Sequence, residues 1–244
     1  DPAGRRSLIH NVAHNELSAV ELALLAVAPS FGASWDRQRR DIEEWIAAGR
    51  GAEANAALQQ AFDQAIEDFE SSRNGRIFAQ GLMLRARLGA AEGRYDDAVW
   101  DVQAATFFDA EIASFDFSVW GEAGRFVRDV LDEQGERNRE AVTAATPGVV
   151  GPELLDMGRS ITPPRLRRLC VDEEIEIEYL IDRDGRVKGP TRTTQRNVTA
   201  DLWFVALENL HRRRFQPASR NGEAVAFRSS TSLRFSSMAQ GCRK

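Results

Sequence analysis

Residues capable of metal or acid–base chemistry are few in this sequence and widely spaced. His10 and His14 are four residues apart, so both imidazoles would share one face of a helix and could bind a metal ion with a nearby glutamate. A third ligand at a convincing spacing is missing, and we therefore interpret the two histidines as solvent-facing and predict no metal site. His211 precedes three arginines, residues 212–214, at a predicted helix end, where cations interact favourably with the helix dipole. An acidic partner is the alternative role for that cluster.

Motifs for nucleophilic catalysis and phosphate binding are also missing from the sequence. It contains no Gly-x-Ser-x-Gly motif, and Gly89 and Gly93 lie in helical sequence rather than in a phosphate-binding loop. The acidic pair Asp96-Asp97 is interpreted as part of an exposed helix face. We therefore predict a protein without enzymatic activity, catalytic residues or a cofactor.

The chain has two cysteines, Cys170 and Cys242, which are too far apart in sequence to form a metal-binding Cys-x-x-Cys motif. They lie near the two ends of the C-terminal region, as expected for a disulfide that closes one small domain. A disulfide requires an oxidising compartment. Two unrelated buried thiols are the alternative, and the spacing alone favours neither. The fold that the resemblance below implies for this region favours the disulfide, which we therefore predict.

The composition is that of a soluble globular protein, with 43% hydrophobic and 28% charged residues. The longest apolar stretch, Val20 to Pro29, is interrupted by Glu21 and is too short to span a bilayer, which needs about 20 apolar residues. We therefore expect no membrane span in this chain. The start of the sequence has no signal peptide, so either one was removed or the protein never had one.

Charge is distributed unevenly along the chain. Residues 160–244 contain 16 Lys and Arg against 10 Asp and Glu, whereas residues 1–159 contain 16 against 27. The basic region could bind an acidic partner or the acidic half of the same chain. Nucleic acid is the other usual partner of a basic region, but an acidic run from Asp172 to Glu178 lies within it, and we predict no nucleic-acid binding.

Residues 1–146 are predicted to form an all-α domain. No proline lies between Pro29 and Pro147, and apolar residues such as Leu58 and Phe62 recur at helical spacing. A turn is expected at residues 71–75. Helices are predicted over Ile77–Glu92, Tyr95–Phe107 and Ser118–Gln134.

One helical hairpin of this domain resembles a tetratricopeptide unit. The resemblance depends on Gly93 at the turn and on small residues at Ala86, Ala98 and Ala105, which would let two antiparallel helices approach closely. A second copy is only weakly indicated, by a similar Gly-containing turn at residues 134–136. The predicted domain is therefore a helical hairpin of tetratricopeptide-like type, with an ordinary helical bundle as the alternative.

Four of the eight prolines fall between residues 147 and 164, which predicts a linker over residues 147–162 and a second domain over residues 163–244. In that domain Ile175, Ile177 and Tyr179 alternate with glutamates, as in a strand with one buried face. A turn at 182–185, a short return strand, a helix at 199–213 and a long final strand at 225–235 follow. The chain is thus predicted to be α+β, with a small ββαβ unit after the helical domain.

Several short motifs occur within this order. They are Pro163-Pro164, Asp184-Gly185-Arg186-Val187, Arg214-Phe215-Gln216-Pro217-Ala218, Asn221-Gly222 and the final strand ending at Phe235. Together they give residues 161–235 a sequence that resembles the C-terminal domain of TonB-type energy transducers.

The resemblance implies a non-enzymatic periplasmic protein that binds another polypeptide, such as the periplasmic segment of an outer-membrane transporter, in energy transduction or transport. A full transducer is similar in this domain but also has a membrane anchor and a proline-rich spacer. This sequence shows neither and carries an acidic helical domain instead. The alternative function is a cell-envelope assembly scaffold that binds its partner through the helical domain.

We predict that the partner binds as an added strand along an edge of the small sheet, beside the long, proline-free final strand. Phe215, Gln216 and Pro217 are predicted secondary contacts because they lead into the turn before that strand. An edge covered by the same chain, or paired with a second copy in a homodimer, is the alternative. The predicted binding residues in the strand are Val225, Phe227, Arg228, Ser229, Ser230, Thr231, Ser232 and Leu233.

Overall fold

The computed structural model describes residues 31–67, 71–158, 172–192 and 198–236. A helical region is followed by small antiparallel sheets, which confirms the predicted α+β class. None of the described helices is long and apolar enough to cross a membrane.

The helices are α1 (Phe31–Ala47), α2 (Gly51–Glu67), α3 (Ser71–Ala91), α4 (Tyr95–Ala105), α5 (Gly121–Glu140) and α6 (Ala200–His211), with 3-10 helices at Ala110–Ser114 and Phe117–Trp120. The strands are β1 (Val149–Val150), β2 (Glu153–Asp156), β3 (Asp172–Ile181), β4 (Val187–Arg192), β5 (Arg214–Gln216), β6 (Ser219–Arg220), β7 (Glu223–Ala224) and β8 (Phe227–Ser236).

Helices α1 to α5 stack in chain order, each against the next, and α1 also contacts α3 while α3 contacts α5. The facing positions of α3 and α4 are small: Ala86, Ala90 and Ala98 are all buried. The turn between these helices contains Gly93, whose φ of +75° lies in the left-handed region that glycine adopts without strain. The predicted turn at Gly93 is therefore present.

Two other turns predicted in this region are wrong. Residues 71–75 begin α3 rather than forming a turn, because local propensity is only a weak guide and tertiary packing overrides it. Residues 134–136 lie inside α5. Gln134 is buried there, and its side-chain oxygen accepts a hydrogen bond from Gln103 at 3.2 Å, so tertiary packing continues the helix through Gly135.

The C-terminal region contains a three-stranded antiparallel sheet in the order β4-β3-β8. In β3, Ile175, Ile177 and Tyr179 are buried and the intervening glutamates are exposed, so the predicted alternation is confirmed. Strands β3, β4, helix α6 and strand β8 follow one another in the predicted strand–strand–helix–strand order, with three short strands between α6 and β8.

The turn between β3 and β4 is specified by its own side chains. Asp182 Oδ1 accepts hydrogen bonds from the backbone N–H groups of Asp184 at 2.9 Å and Arg186 at 2.8 Å. Gly185 has a φ of +76°, and a Cβ at this position would lie 1.8 Å from the Phe215 carbonyl oxygen. Only glycine is tolerated at position 185, where the predicted hairpin turn requires a positive φ.

The segment predicted to be a linker is not free of structure. Within it, β1 pairs with β6 and β2 pairs with β5, both antiparallel. Leu154, for example, lies opposite Phe215. Strands of two to four residues are too short to show an alternation of apolar and polar residues, so the sequence could not indicate them. The described part of residues 147–162 is therefore attached to the C-terminal region.

Helix α6 is buried on both sides. Its predicted apolar stripe is confirmed by the burial of Leu202 and Val205, but Trp203 and Phe204 are also no more than 4% exposed. The Phe204 ring stacks on Phe78 of α3, with centroids 4.5 Å apart, and lies 4.7 Å from the Phe62 ring of α2. The helical region and the main sheet therefore share one hydrophobic core, with α6 between them.

This shared core predicts the behaviour of the separated parts. Residues 163–244 expressed alone are expected to lose the cooperative unfolding transition of the intact chain, because Trp203 and Phe204 would face water. Burial of each such ring contributes about 1.5–3 kcal/mol. Circular dichroism during urea unfolding measures the transition. A sharp transition at the midpoint of the intact chain would instead show that the C-terminal domain folds independently.

Candidate functional site

The predicted binding strand, β8, lies at an edge of the main sheet. It pairs with β3 along its whole length, with Glu178 opposite Ser230 and Ile181 opposite Phe227. The other edge strand, β4, is contacted by α4, α5 and α6, and Lys188 of β4 forms an ion pair with Asp96 of α4 at 2.7 Å. Of the two edges of this sheet, the one formed by β8 is therefore the more accessible.

The outer side of β8 can be assigned from the backbone hydrogen bonds that this strand forms with Val142. Val142 donates its N–H to the Ala226 carbonyl at 3.0 Å and accepts from the Arg228 N–H at 2.8 Å. Backbone groups of alternate residues in a strand point to the same edge. The N–H and C=O groups of Ser230, Ser232 and Arg234 therefore point outward, as those of Arg228 do, and the odd-numbered residues bond to β3.

Val142 covers only the beginning of this edge. The Arg228 side chain reinforces that end, because its Nη2 donates to the Asn138 carbonyl at 2.7 Å. In the described ranges, no strand pairs with the outer side of β8 from Ser230 onward. An edge of this kind presents a row of unpaired donors and acceptors to which an extended chain can bind.

The two faces of β8 differ in character. On the side of α6, Phe227 and Phe235 are buried while Ser229, Thr231 and Leu233 are half-buried. Side chains on the open face are polar and interact with acidic residues of β3. Arg234 binds Asp172 with both Nε and Nη2, and the Ser232 hydroxyl donates to Glu174.

The predicted secondary contacts do not lie on β8. Phe215 and Gln216 belong to β5, which pairs with β2, and Pro217 follows directly. Phe215 is buried, its ring lies 6.2 Å from that of Tyr179, and its N–H donates to the Gly185 carbonyl at 2.9 Å. Its observed contacts are thus with the turn between β3 and β4. Val225 precedes β8 and donates its N–H to Ala218.

A residue that sequence analysis overlooked, Arg213, lies beside the centre of β8. Its side chain is buried, at 9% exposure for the residue, and Nη1 donates to the Thr231 hydroxyl at 3.2 Å. No carboxylate of the described residues forms an ion pair with it, although Arg212 next to it pairs with Glu208. In the sequence, Arg213 is one of three adjacent arginines, and nothing there distinguishes the buried one from its exposed neighbours.

A buried ionic cluster fixes α6 to the helical region. Arg85 of α3 donates to both carboxylate oxygens of Asp101 on α4, at 2.6 and 2.9 Å, and to Glu208 of α6 at 2.5 Å. Burial raises the pKa of the Asp101 carboxyl above its ordinary value. Burial also opposes the charge of Glu208, but Arg85 outweighs that effect, and the pKa of Glu208 is lowered. The Arg85 guanidinium thus forms ion pairs with two buried carboxylates, one on α4 and one on α6.

The end of α6 forms a second connection to the same helices. The His211 ring stacks on Trp100 of α4 with centroids 4.5 Å apart, and His211 Nε2 lies 3.6 Å from Asp97. The hydrogen bond with His211 lowers the pKa of Asp97 to about 2. His211 lies in the last turn of α6, at the predicted helix end, and it also contributes to internal packing.

The other predicted chemistry falls partly outside the described residues. His10, His14, Cys170 and Cys242 all lie outside them, so the structure does not bear on the predicted disulfide. Among the residues that it does describe, no group of three or more His, Cys, Asp and Glu could hold a metal ion. A cavity of about 640 Å³ between α5 and the turn after β3 is lined mainly by charged side chains, including Glu136. Small-molecule sites are usually more apolar.

Comparison of the sequence with known proteins gives no family assignment: no protein family matches the chain, and no curated protein is significantly similar to it. The functional assignment therefore depends on the site itself.

Proposed function

We propose that this chain is a non-enzymatic polypeptide-binding protein of TonB type that binds an extended segment of an envelope protein as an additional strand beside β8. The observation that carries this proposal is the outward orientation of the backbone groups of Ser230, Ser232 and Arg234, with no described strand bonded to them. Main-chain hydrogen bonds would supply affinity, and side chains on either face of β8 would select the partner sequence.

The packing of α6 supports this choice of surface. An isolated ββαβ unit could offer its helix or its sheet edge to a partner, but here α6 is covered by α3 and α4 and fastened by Arg85. The helical region thereby holds the sheet in place before a partner arrives. A preorganised edge binds more tightly because less ordering is required on association.

Three further features belong to the same proposal. The stacking of α1 with α3 and of α3 with α5 is consistent with a tetratricopeptide-like arrangement of the helical region. The TonB-like resemblance of residues 161–235 points to the periplasm, to the periplasmic segment of an outer-membrane transporter as partner, and to a role in transport. The predicted disulfide between Cys170 and Cys242 would form in that oxidising compartment.

The test is a titration of the intact chain with a fluorescein-labelled peptide copied from the periplasmic segment of an outer-membrane transporter. Fluorescence anisotropy measures binding, and backbone amide NMR shifts locate it. We expect saturable binding with the largest shifts at residues 228–236. Shifts confined to α6, with β8 unchanged, would show that strand addition is wrong. Concentration-dependent dimerisation that the peptide does not displace would favour pairing of β8 with a second copy.

A second candidate function is an assembly scaffold that binds through the helical region. A cavity of about 270 Å³ between α1, α3 and the 3-10 helices favours it, since it is lined in part by Met83, Ile112 and Trp120. Replacement of Met83 with lysine would weaken partner binding if the scaffold function holds. It would leave peptide binding at β8 unchanged if strand addition is the function.

A further inference from the structure

Arg213 is a buried cation whose side chain has one hydrogen-bond partner among the described residues, the Thr231 hydroxyl. A guanidinium has five N–H donors, and a charge removed from water is costly unless it is paired. Among the described residues, the enclosed side-chain nitrogen atoms without a hydrogen-bond partner include Arg39 Nε but no atom of Arg213. Nε and Nη2 of Arg213 therefore keep contact with solvent and can reach a ligand.

The position of Arg213 relative to β8 is specific. Thr231 is an odd-numbered residue of β8, so its N–H and C=O groups bond to β3, opposite Ile177. In a strand added antiparallel to β8 on its outer side, the residue opposite Thr231 would occupy a non-hydrogen-bonded position. Side chains of opposite residues are closest at such positions, with Cα atoms about 4.5 Å apart. That residue would therefore place its side chain beside the Thr231 hydroxyl and the Arg213 guanidinium.

We propose that the partner strand carries an aspartate or glutamate opposite Thr231, on the side of the sheet that faces α6, and that its carboxylate pairs with Arg213. This inference rests on the proposed strand addition and adds the chemistry of the partner. Guanidinium and carboxylate form paired, charge-assisted hydrogen bonds, and arginine suits this geometry better than lysine. Binding would neutralise the uncompensated charge and complete its hydrogen bonding.

At the centre of β8, the described residues of the open face include no unpaired cation of this kind. Glu176 and Glu178 of β3 are exposed there, opposite Ser232 and Ser230 of β8. The arginines on this face of β8 lie toward its ends and already have partners, since Arg234 pairs with Asp172 and Arg228 donates to the Asn138 carbonyl. A partner carboxylate at the centre of β8 therefore meets Arg213 on the α6 side and glutamates of β3 on the open face.

The experiment uses the intact chain and three labelled nine-residue peptides of alternating threonine and valine. The peptides differ only at the central inward-facing position, which is Glu, Gln or Lys. We expect the Glu peptide to bind about tenfold more tightly than the Gln peptide, as expected for a hydrogen bond to a charged group. The Lys peptide should bind most weakly. Fluorescence anisotropy gives the three affinities.

Variants of the chain test whether Arg213 causes the preference for the Glu peptide over the Gln peptide. In Arg213→Gln the preference for Glu over Gln should fall below about twofold, and Arg213→Lys should retain part of it. Arg183→Gln, which removes the same charge at the exposed turn after β3, should keep the full preference. Circular dichroism establishes that each variant is folded.

Three results would overturn the inference, and they differ in their meaning. Equal affinity for the Glu and Gln peptides would reject the carboxylate partner and leave strand addition intact. A full preference that survives Arg213→Gln would assign the selectivity to another residue. Failure of all three peptides to bind would reject strand addition together with the inference.

Discussion

Replacement of Arg85 with methionine is expected to lower the free energy of unfolding by about 3 kcal/mol, the lower end of the range for breaking a buried ion pair. The side chain of Arg85 is 20% exposed, whereas those of Asp101 and Glu208 are 6% and 10% exposed. Without the guanidinium, both carboxylates would remain buried and close to each other. Urea denaturation followed by circular dichroism measures the change.

Two matched variants make this test specific. Arg76→Met removes an exposed arginine from the same helix, where it pairs with Asp36 at 3.4 Å, and should cost no more than about 1 kcal/mol. Adding Asp101→Asn and Glu208→Gln to Arg85→Met should recover much of the lost stability, because the buried charges are then gone. A loss below 1 kcal/mol for Arg85→Met would show that the cluster does not hold α6 in place.

Replacement of Ser230 with proline is expected to reduce the affinity for an extended peptide by about tenfold or more, because it removes one outward donor and places the proline ring against the incoming strand. The N–H of Ser230 does not bond to β3, so the domain should remain folded, with a change in stability of less than about 1 kcal/mol. Fluorescence anisotropy and thermal unfolding measure the two effects separately.

The neighbouring positions provide the controls. Ser230→Ala keeps the backbone donor and should bind like the unmodified chain, which separates the main-chain contribution from that of the hydroxyl. Ser229→Pro removes a donor that faces β3 and should destabilise the sheet itself. Unchanged peptide binding by a folded Ser230→Pro variant would contradict binding along the outer side of β8.

The parts of the fold that could be predicted from sequence are those with local signals. The alternation of Ile175, Ile177 and Tyr179 with glutamates identifies β3, and Asp182 and Gly185 identify the turn after it. Packing between distant segments could not be predicted. The burial of both sides of α6 depends on Phe62 and Phe78, which are more than 100 residues away in sequence.

The candidate site also has parts that could be predicted from the sequence and parts that could not. The residues of β8 could be proposed from their length, polarity and lack of proline. Their place at an accessible edge follows from the strand order β4-β3-β8 and from the helices that cover β4, neither of which is a local property. Arg213 could not be identified in advance, because the burial of one arginine among three depends on where α6 ends relative to β8.

Amide hydrogen exchange of the intact chain, with and without the transporter-derived peptide, tests strand addition most directly. If the partner binds along β8, the peptide slows exchange at the outward amides of Ser230, Ser232 and Arg234. The inward amides of Ser229 and Thr231, already bonded to β3, should change little. Slowed exchange in α6 or in the helices α1 to α5, with the amides of Ser230, Ser232 and Arg234 unaffected, would contradict strand addition.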